Sequence, residues 1–152
     1  MRIPDINTLL PEFQQAVGPL VKAAANGSLP TTTTSLVFLR AAQIVGNTYQ
    51  TVRHSTDLRK AGESEERLAT VSTWWDAPYF TEPERAALAL TDATFQPNPR
   101  GEERVSDELF AEAAKHYDDK AMSTLIVVLA SAGFWMNVAM LLKPPPLGTE
   151  AA

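Results

Sequence analysis

Four polar side chains in the middle of the chain combine hydrogen-bonding chemistry with helical spacing. In order they are Gln43, Asn47, Gln50 and His54. Successive intervals of four, three and four residues place such a set on one face of a helix, provided that the helix continues through Gly46. Amide groups donate and accept hydrogen bonds, and an unperturbed imidazole titrates near neutral pH. The set therefore predicts a surface that can hold a small molecule or move a proton.

The sequence alone leaves three interpretations of this polar set open. In the first, the set lines a pocket for a neutral or anionic molecule, with Tyr49 or Arg53 nearby and Trp135 as a wall. In the second, the amides and the imidazole only hydrogen-bond one another. In the third, they form a solvated face. If the pocket exists, His54 is the candidate general acid or base, and Asp57 is a further ionisable neighbour.

Residue types that commonly carry redox or metal chemistry are missing or scattered. The chain has no cysteine, which excludes disulfides, thiolate nucleophiles, iron–sulfur clusters and cysteine zinc sites. His54 and His116 lie far apart and form no HxxxH or HExxH motif. His116 is beside Lys115 at a predicted helix end, where positive charge favours the helix dipole. We expect no metal and no cofactor.

The length indicates one domain, and the N-terminal residues indicate a cytoplasmic protein. A chain of 152 residues is the size of one ordinary domain. Thirteen Lys and Arg against eighteen Asp and Glu give a formal net charge of −5, which disfavours nucleic acid and anionic membranes as partners. An acid and a proline near the N-terminus, Asp5 and Pro4, stand where a signal peptide would need an apolar core.

The elements that must position the polar set are helices, because helical periodicity alternates with Pro, Gly and Asn punctuation and strict period-2 alternation is missing. The pattern predicts helices at about 11–25, interrupted at Gly18–Pro19, at 31–45, 48–59, 64–75, 85–95 and 106–116, and after 118. Thr31 to Thr34 offer N-caps for the second of these. Thr81 and Glu84 form a capping box, and Asp118 can cap the last helix.

The last helix contains a stretch without charge, residues 121–142, that is long enough to span a bilayer. Polar and small residues such as Ser131, Gly133 and Asn137 dilute its hydrophobicity. We interpret it as the central core helix of a bundle, and we expect part of it to lie in a subunit interface. Trp74 and Trp75 are interpreted as packing residues. We expect a domain at 1–143 and a flexible, proline-rich tail at 144–152.

Several motifs elsewhere identify a family. They are Leu39-Arg40-Ala41-Ala42-Gln43-Ile44-Val45-Gly46, Tyr49, Ala61-Gly62-Glu63, Ala77-Pro78-Tyr79-Phe80-Thr81 and Glu84-Arg85-Ala86-Ala87-Leu88-Ala89-Leu90-Thr91. Together they resemble the alkylhydroperoxidase D-like branch of the carboxymuconolactone decarboxylase-like proteins, over roughly residues 11–143. The resemblance implies an all-α fold, a helical bundle of six to seven helices, and assembly as a dimer, trimer or hexamer.

The resemblance fails at the reactive groups. The family signature has a glutamate, two cysteines and a histidine, and the matching positions here are Ser35, Asn47, Gln50 and His54. In the family, one thiolate attacks peroxide and the second forms a disulfide with it, while the glutamate and histidine relay the proton. Amides cannot replace those thiols, so we expect no cysteine-based peroxidase activity.

Two functions therefore remain. The first is a thiol-free homologue that binds a small molecule or acts as a structural protein. The second is a non-redox, decarboxylase-like enzyme that uses His54 as general acid or base on a small organic acid or lactone. The candidate ligand-binding residues are Ser35, Gln43, Asn47, Tyr49, Gln50 and Trp135.

Overall fold

Eight α-helices and one short 3-10 helix form the regular structure of residues 1–149, the part of the chain that the computed structural model describes. The helices are α1 (Ile6–Leu9), α2 (Pro11–Ala24), α3 (Thr31–Val45), α4 (Thr48–Lys60), α5 (Glu65–Thr70), α6 (Glu82–Phe95), α7 (Asp107–Ala114) and α8 (Asp119–Leu142), and the 3-10 helix is Val71–Thr73. The described residues contain no strand. The predicted all-α class is confirmed, and the short helix α1 raises the count above the predicted six to seven.

Capping side chains fix the starts of four helices. The Thr81 hydroxyl accepts from the backbone N–H of Glu84, whose carboxylate accepts from the N–H of Thr81, as the predicted capping box requires. Asp118 caps α8 by accepting from Ala121. Ser64 and Ser106 cap α5 and α7 in the same way. Each cap satisfies an N–H group that has no partner within its own helix.

Several predicted bounds were wrong. Helix α2 is not interrupted at Gly18–Pro19: Pro19 lies inside it, on a helix without a buried residue, so solvent can replace the hydrogen bond that proline removes. Helix α1 was not predicted. Helix α3 begins directly after Pro30, and its Thr residues lie within the helix instead of capping it. Helix α5 ends at Thr70, and only the 3-10 turn continues toward Trp74.

Helix α3 lies between two hydrophobic clusters. Its residues Val37, Phe38, Ala41 and Ala42 belong to the first cluster, with Leu125, Val128 and Met136 of α8. Leu36 and Leu39, on another face of α3, belong to the second cluster, with Leu58, Leu68, Val71 and Leu88. This double contact explains why the sequence of α3 is apolar on nearly every side.

Helix α8 packs against α2, α3, α4, α6 and α7. It is long and apolar enough to cross a membrane by length and composition, and one third of its most apolar window is buried inside the protein. The core helix of a soluble protein passes the same test. Its contribution to the first cluster agrees with the expected role as a core helix.

The N-terminal segment lies against the end of α8. The backbone N–H of Arg2 donates to the carbonyl of Leu142 at 2.7 Å, and its guanidinium donates to the carbonyl of Leu141 at 3.4 Å. Arg2 thus satisfies carbonyls that a helix C-terminus leaves without partners. Lys143 adopts a left-handed conformation, with φ 49°, and turns the chain into the proline segment. Residues 150–152 of the predicted flexible tail lie outside the described residues.

Candidate functional site

Gly46 separates the polar set into two parts. It has φ 73° and ψ 40°, the left-handed conformation that ends α3, and Asn47 begins the next helix as its N-cap. The condition for a continuous stripe, one helix through Gly46, is therefore not met. Gln43 lies on α3, and Gln50 and His54 lie on α4, which packs against α3.

The side-chain amide of Asn47 forms hydrogen bonds with backbone groups of two helices, α4 and α8. Asn47 is buried, and its Oδ1 accepts from the N–H of Gln50 at 3.1 Å. Its Nδ2 donates to the carbonyl of Met136 in α8 at 3.3 Å. The side chain therefore caps α4 and ties that helix to α8, and both ends of the amide have a structural partner.

The other two amides form no hydrogen bond with Asn47 or His54 through their side chains. Gln50 is buried. Gln43 is partly buried, and its Oε1 lies out of contact with solvent without a hydrogen-bond partner among residues 1–149. A buried carbonyl oxygen without a donor is uncommon. Gln43 Oε1 therefore has a free acceptor position that a hydrogen-bond donor could occupy.

His54 occupies an apolar environment. Its side chain is 12% exposed, and its ring centroid lies 4.6 Å from that of Phe38 on α3. Nδ1 is 3.6 Å from Oδ2 of Asp57, too far for a hydrogen bond. Burial lowers the pKa of His54 to about 4, although Asp57 raises it; Arg53 lowers it further. The imidazole is therefore neutral at pH 7.

An open cleft of about 350 Å³ lies where the α3–α4 junction faces the end of α8. One wall consists of Gly46, Asn47, Thr48 and Tyr49. The opposite wall consists of Ala139 and Met140 of α8 with Lys143, Pro144 and Pro146 behind it. Two residues of the predicted site, Asn47 and Tyr49, line this cleft, and His54 does not.

The remaining candidates lie elsewhere. Trp135 packs edge-on against Phe13 and Phe134, with centroids 6.2 and 5.0 Å away, and is not a wall of the cleft. Ser35 is half-buried on α3, one helical turn before Phe38. No group of three or more His, Asp or Glu side chains within residues 1–149 is placed to hold a metal ion.

Sequence reasoning missed the wall supplied by Met140, Lys143 and the prolines. The available signal was the proline run directly after α8, which stops the helix at a defined place. Nothing in the local sequence says that this place faces residues 46–49.

Comparison with known proteins identifies relatives. The model of the carboxymuconolactone decarboxylase family matches residues 11–93, more than half of the chain. An uncharacterised protein of Bacillus subtilis, YdfG, is 27% identical over 133 residues, which cover 87% of this chain and 88% of that protein.

Solved structures agree with this match. A protein of unknown function from Agrobacterium tumefaciens, named as a candidate antioxidant defence protein AhpD, superposes with a TM-score of 0.84 at 26% identity, covering 95% of this chain and 97% of that chain. The debrominase Bmp8, in complex with 2,3,4-tribromopyrrole, superposes with a TM-score of 0.79 at 19% identity, covering 93% and 74%. The second likeness concerns the fold alone.

Proposed function

The chain belongs to the carboxymuconolactone decarboxylase family, and we propose that it is a member without thiol peroxidase activity that binds a small molecule in the cleft beside Asn47. The observation that carries the proposal is the double engagement of the Asn47 amide. At the position where the family resemblance expects a reactive thiol, this side chain bonds to Gln50 N–H and to the Met136 carbonyl.

Peroxide reduction by a dithiol needs two sulfur atoms. A thiolate attacks a peroxide oxygen to give a sulfenic acid, and a second thiol displaces water from it to form a disulfide. Asn47 and Gln50 supply neither atom, and the chain has no cysteine elsewhere. The proposed protein therefore has no route through that cycle.

The cleft supports a ligand with an apolar body and one anionic group. Its volume of about 350 Å³ is at the lower end of the range of small-molecule sites. Ala139, Met140 and the prolines offer apolar contacts, while Tyr49 carries a hydroxyl group and Lys143 a positive charge. We propose a small organic carboxylate bound in the cytoplasm.

The second candidate is a non-redox reaction that uses His54 as general acid or base. Its support is the buried Nδ1 without a hydrogen bond, 3.6 Å from Asp57. Two facts favour the binding proposal over it. A pKa of about 4 makes His54 a weak base at pH 7, and the side chain is not in the wall of the cleft.

Peroxide consumption tests the first half of the proposal. Hydrogen peroxide and an organic hydroperoxide, supplied with a dihydrolipoyl donor, should disappear no faster with the protein than without it. A rate that Asn47→Ala abolishes would contradict the proposal.

Thermal unfolding with defined probes tests the second half. A ligand that binds only the folded state raises the melting temperature by mass action. Benzoate and cyclohexanecarboxylate should stabilise the protein more than cyclohexanol does. Lys143→Gln should remove that difference, whereas Lys120→Gln, at the opposite end of α8, should leave it intact. Equal responses to carboxylate and alcohol in all three proteins would contradict a carboxylate site.

A further inference from the structure

A second, smaller groove lies between α7 and the beginning of α8, at the opposite end of α8 from the cleft beside Asn47. Its volume is about 220 Å³. Phe110 and Ala114 of α7 line one side, and Asp119 and Ile126 of α8 line the other. We call it the α7–α8 groove.

Buried side chains form the base of this groove, and exposed apolar side chains form its rim. Met122 is buried and belongs to the first hydrophobic cluster. The hydroxyl of Tyr117 donates to the carbonyl of Pro83, which holds the ring in place. Phe110 is 40% exposed and Ile126 is 49% exposed. Two large apolar side chains therefore stand in water above a fixed base.

The size of the groove and the position of its rim residues favour a protein segment as the occupant. Single exposed apolar side chains are ordinary, whereas Phe110 and Ile126 line the same groove and form a joint contact surface. The groove is smaller than about 300 Å³, the lower end of the range for small-molecule sites. It therefore suits one or two apolar side chains of a partner better than a whole small molecule.

The negative charge of the protein is concentrated in the segment that contains α7. Residues 102–119 include seven of the eighteen acidic residues and two of the thirteen basic ones, and one basic residue flanks the stretch at each end. The stretch therefore carries −5, and the rest of the chain is balanced. Both basic residues within it are engaged, because Lys115 pairs with Glu112 and Arg104 donates to the carbonyl of Gln96.

Two of these carboxylates belong to the groove or its margin. Asp119 lines it, and Asp107 shares a face of α7 with Phe110, three residues further on. Both acids lie in the first turn of a helix, where the helix dipole favours negative charge, so the acids alone need no partner. The exposed ring of Phe110 has no such structural reason, since α7 packs on the core through Leu109 and Ala113.

We propose that the α7–α8 groove binds a basic amphipathic segment of another protein. One large apolar side chain of that segment packs between Phe110 and Ile126, and its Lys or Arg side chains lie over the carboxylates of Asp107 and Asp119. Charge complementarity selects this occupant, because an acidic margin attracts a basic segment and repels nucleic acid and anionic membranes. A symmetric contact with a second copy would bring two acidic grooves together.

Defined peptides test this proposal on the full-length protein. The probe is a fluorescent peptide of Leu and Lys, about five helical turns long, with its leucines on one helical face. The first control peptide has the same composition, with the leucines spread around the helix. The second control peptide has Glu in place of every Lys. Fluorescence anisotropy gives the dissociation constant of each peptide at low and at physiological ionic strength.

The amphipathic Lys peptide should bind at least about tenfold more tightly than either control peptide. Phe110→Ser and Ile126→Ser should each weaken its binding at least about tenfold, because either change removes one side of the apolar contact. Leu9→Ser, the same kind of change at an exposed residue of α1, should leave the dissociation constant unchanged.

Charge variants test the second half of the contact. Asp107→Asn combined with Asp119→Asn should weaken binding severalfold and reduce its dependence on ionic strength, because two carboxylates no longer attract the peptide. Glu12→Gln, in the first turn of α2, should change neither quantity. An equal response of these two proteins to salt would contradict the assigned carboxylates.

A thiol introduced into the groove gives a measurement that does not depend on the serine variants. The chain has no cysteine, so the thiol of the Ile126→Cys variant is the only one present. Saturating Lys peptide should slow its reaction with a disulfide reagent at least about tenfold, whereas the thiol of the Leu9→Cys variant should keep its rate. An unprotected Ile126→Cys thiol at saturation would overturn the proposal.

Three further results would also overturn it. Equal binding of all three peptides would show that charge and amphipathic pattern do not select the occupant. Full binding by the folded Phe110→Ser and Ile126→Ser variants, or no binding by the natural protein, would exclude the groove as the site. A mass above 16.6 kDa without peptide, lowered to that value by Phe110→Ser, would assign the groove to a second copy.

Discussion

The imidazole of His54 lies against the phenyl ring of Phe38, with ring centroids 4.6 Å apart and an angle of 33° between the planes. This contact joins α4 to Phe38 of α3, which belongs to the first cluster. A neutral imidazole packs there as an aromatic ring, whereas an imidazolium would lose its hydration without gaining a hydrogen bond.

His54 should therefore titrate near pH 4, well below the usual value for histidine. The measurement is a proton–nitrogen NMR titration of the two imidazoles, with the His116→Gln variant assigning the signals. A midpoint for His54 above about 6 would contradict the packing described here.

The same shift makes folding stability depend on pH. The pKa in the folded protein, about 4, lies below the unfolded value of about 6.5, so the unfolded chain binds more protons between these values. Stability should fall as the pH is lowered through this window, by up to about 3 kcal/mol. Urea unfolding at several pH values between about 4 and 6.5 gives the free energy of unfolding of the natural protein and of the His54→Phe variant. The free energy should fall more steeply with decreasing pH in the natural protein, because only it has this histidine. The same dependence on pH in both proteins would contradict the assignment.

Asn47→Ala should lower the free energy of unfolding by about 2 kcal/mol. About half is the loss of the N-cap, and the rest is the Met136 carbonyl left without its donor. For a chain of this size the melting temperature should drop by roughly 4–8 °C. Asn137→Ala removes a comparable amide from an exposed position of α8 and should change the melting temperature by less than about 2 °C. Similar losses in both variants would show that the Asn47 contacts contribute little.

Restoring two thiols should restore a disulfide. In Asn47→Cys with Gln50→Cys, the first sulfur takes the N-cap position, where it can accept from the N–H of residue 50. This position lowers a thiol pKa, and a side chain three residues further on is within reach of a disulfide. Mild oxidation followed by mass spectrometry should find a loss of two mass units. A pair that remains reduced would mean that the backbone around Gly46 does not permit the bond.

Adding Ser35→Glu to that pair tests the remaining relay position. Ser35 and Phe38 are one turn apart on α3, and Phe38 contacts His54. We expect slow peroxide reduction with a dihydrolipoyl donor from the triple variant, and less from the pair alone. An inactive triple variant with a closed disulfide would show that His54 is too weakly basic here to relay the proton.

Arg67 should contribute more to stability than an exposed ion-pairing arginine does. It pairs with Glu63 and with the buried Glu84, and it donates to the carbonyl of Tyr79. These contacts join α5 to α6 and to the loop before α6. Arg67→Ala leaves the buried Glu84 carboxylate without its cationic partner, although the carboxylate still accepts from the Thr81 N–H, and should cost about 3 kcal/mol. Arg59→Ala breaks an exposed pair with Glu65 and should cost less than about 1 kcal/mol. Chemical denaturation gives the free energy of unfolding of both variants. An equal loss in the two variants would contradict this prediction.

Helix starts could be predicted from the sequence where short-range hydrogen bonds decide them. Thr81 and Asp118 were recognised as caps because a cap needs only a side chain and an N–H group three residues later. Gly46 was harder, because a glycine can continue a helix or end it in the left-handed conformation. The periodicity on either side of it is the same in both cases, so the sequence left the continuity of the polar set undecided.

The features that the sequence could not predict depend on contacts between segments that are distant in the chain. The ring of Trp135 lies against Phe13, and the cleft joins residues 46–49 to residues 139–146. No spacing rule relates these positions. The family resemblance predicted the fold, but it could not predict that the Asn47 amide bonds to the Met136 carbonyl, because that bond exists only where the thiol has been replaced.

The position of α3 between the two hydrophobic clusters has a consequence for how the protein melts. Neighbouring residues of one helix, Leu36 and Val37, belong to different clusters. Loss of either cluster strips one face of that helix, and this withdraws apolar contacts from the other cluster as well. The two halves of the interior are therefore thermodynamically coupled, and calorimetry should record a single transition in which the calorimetric and van't Hoff enthalpies agree.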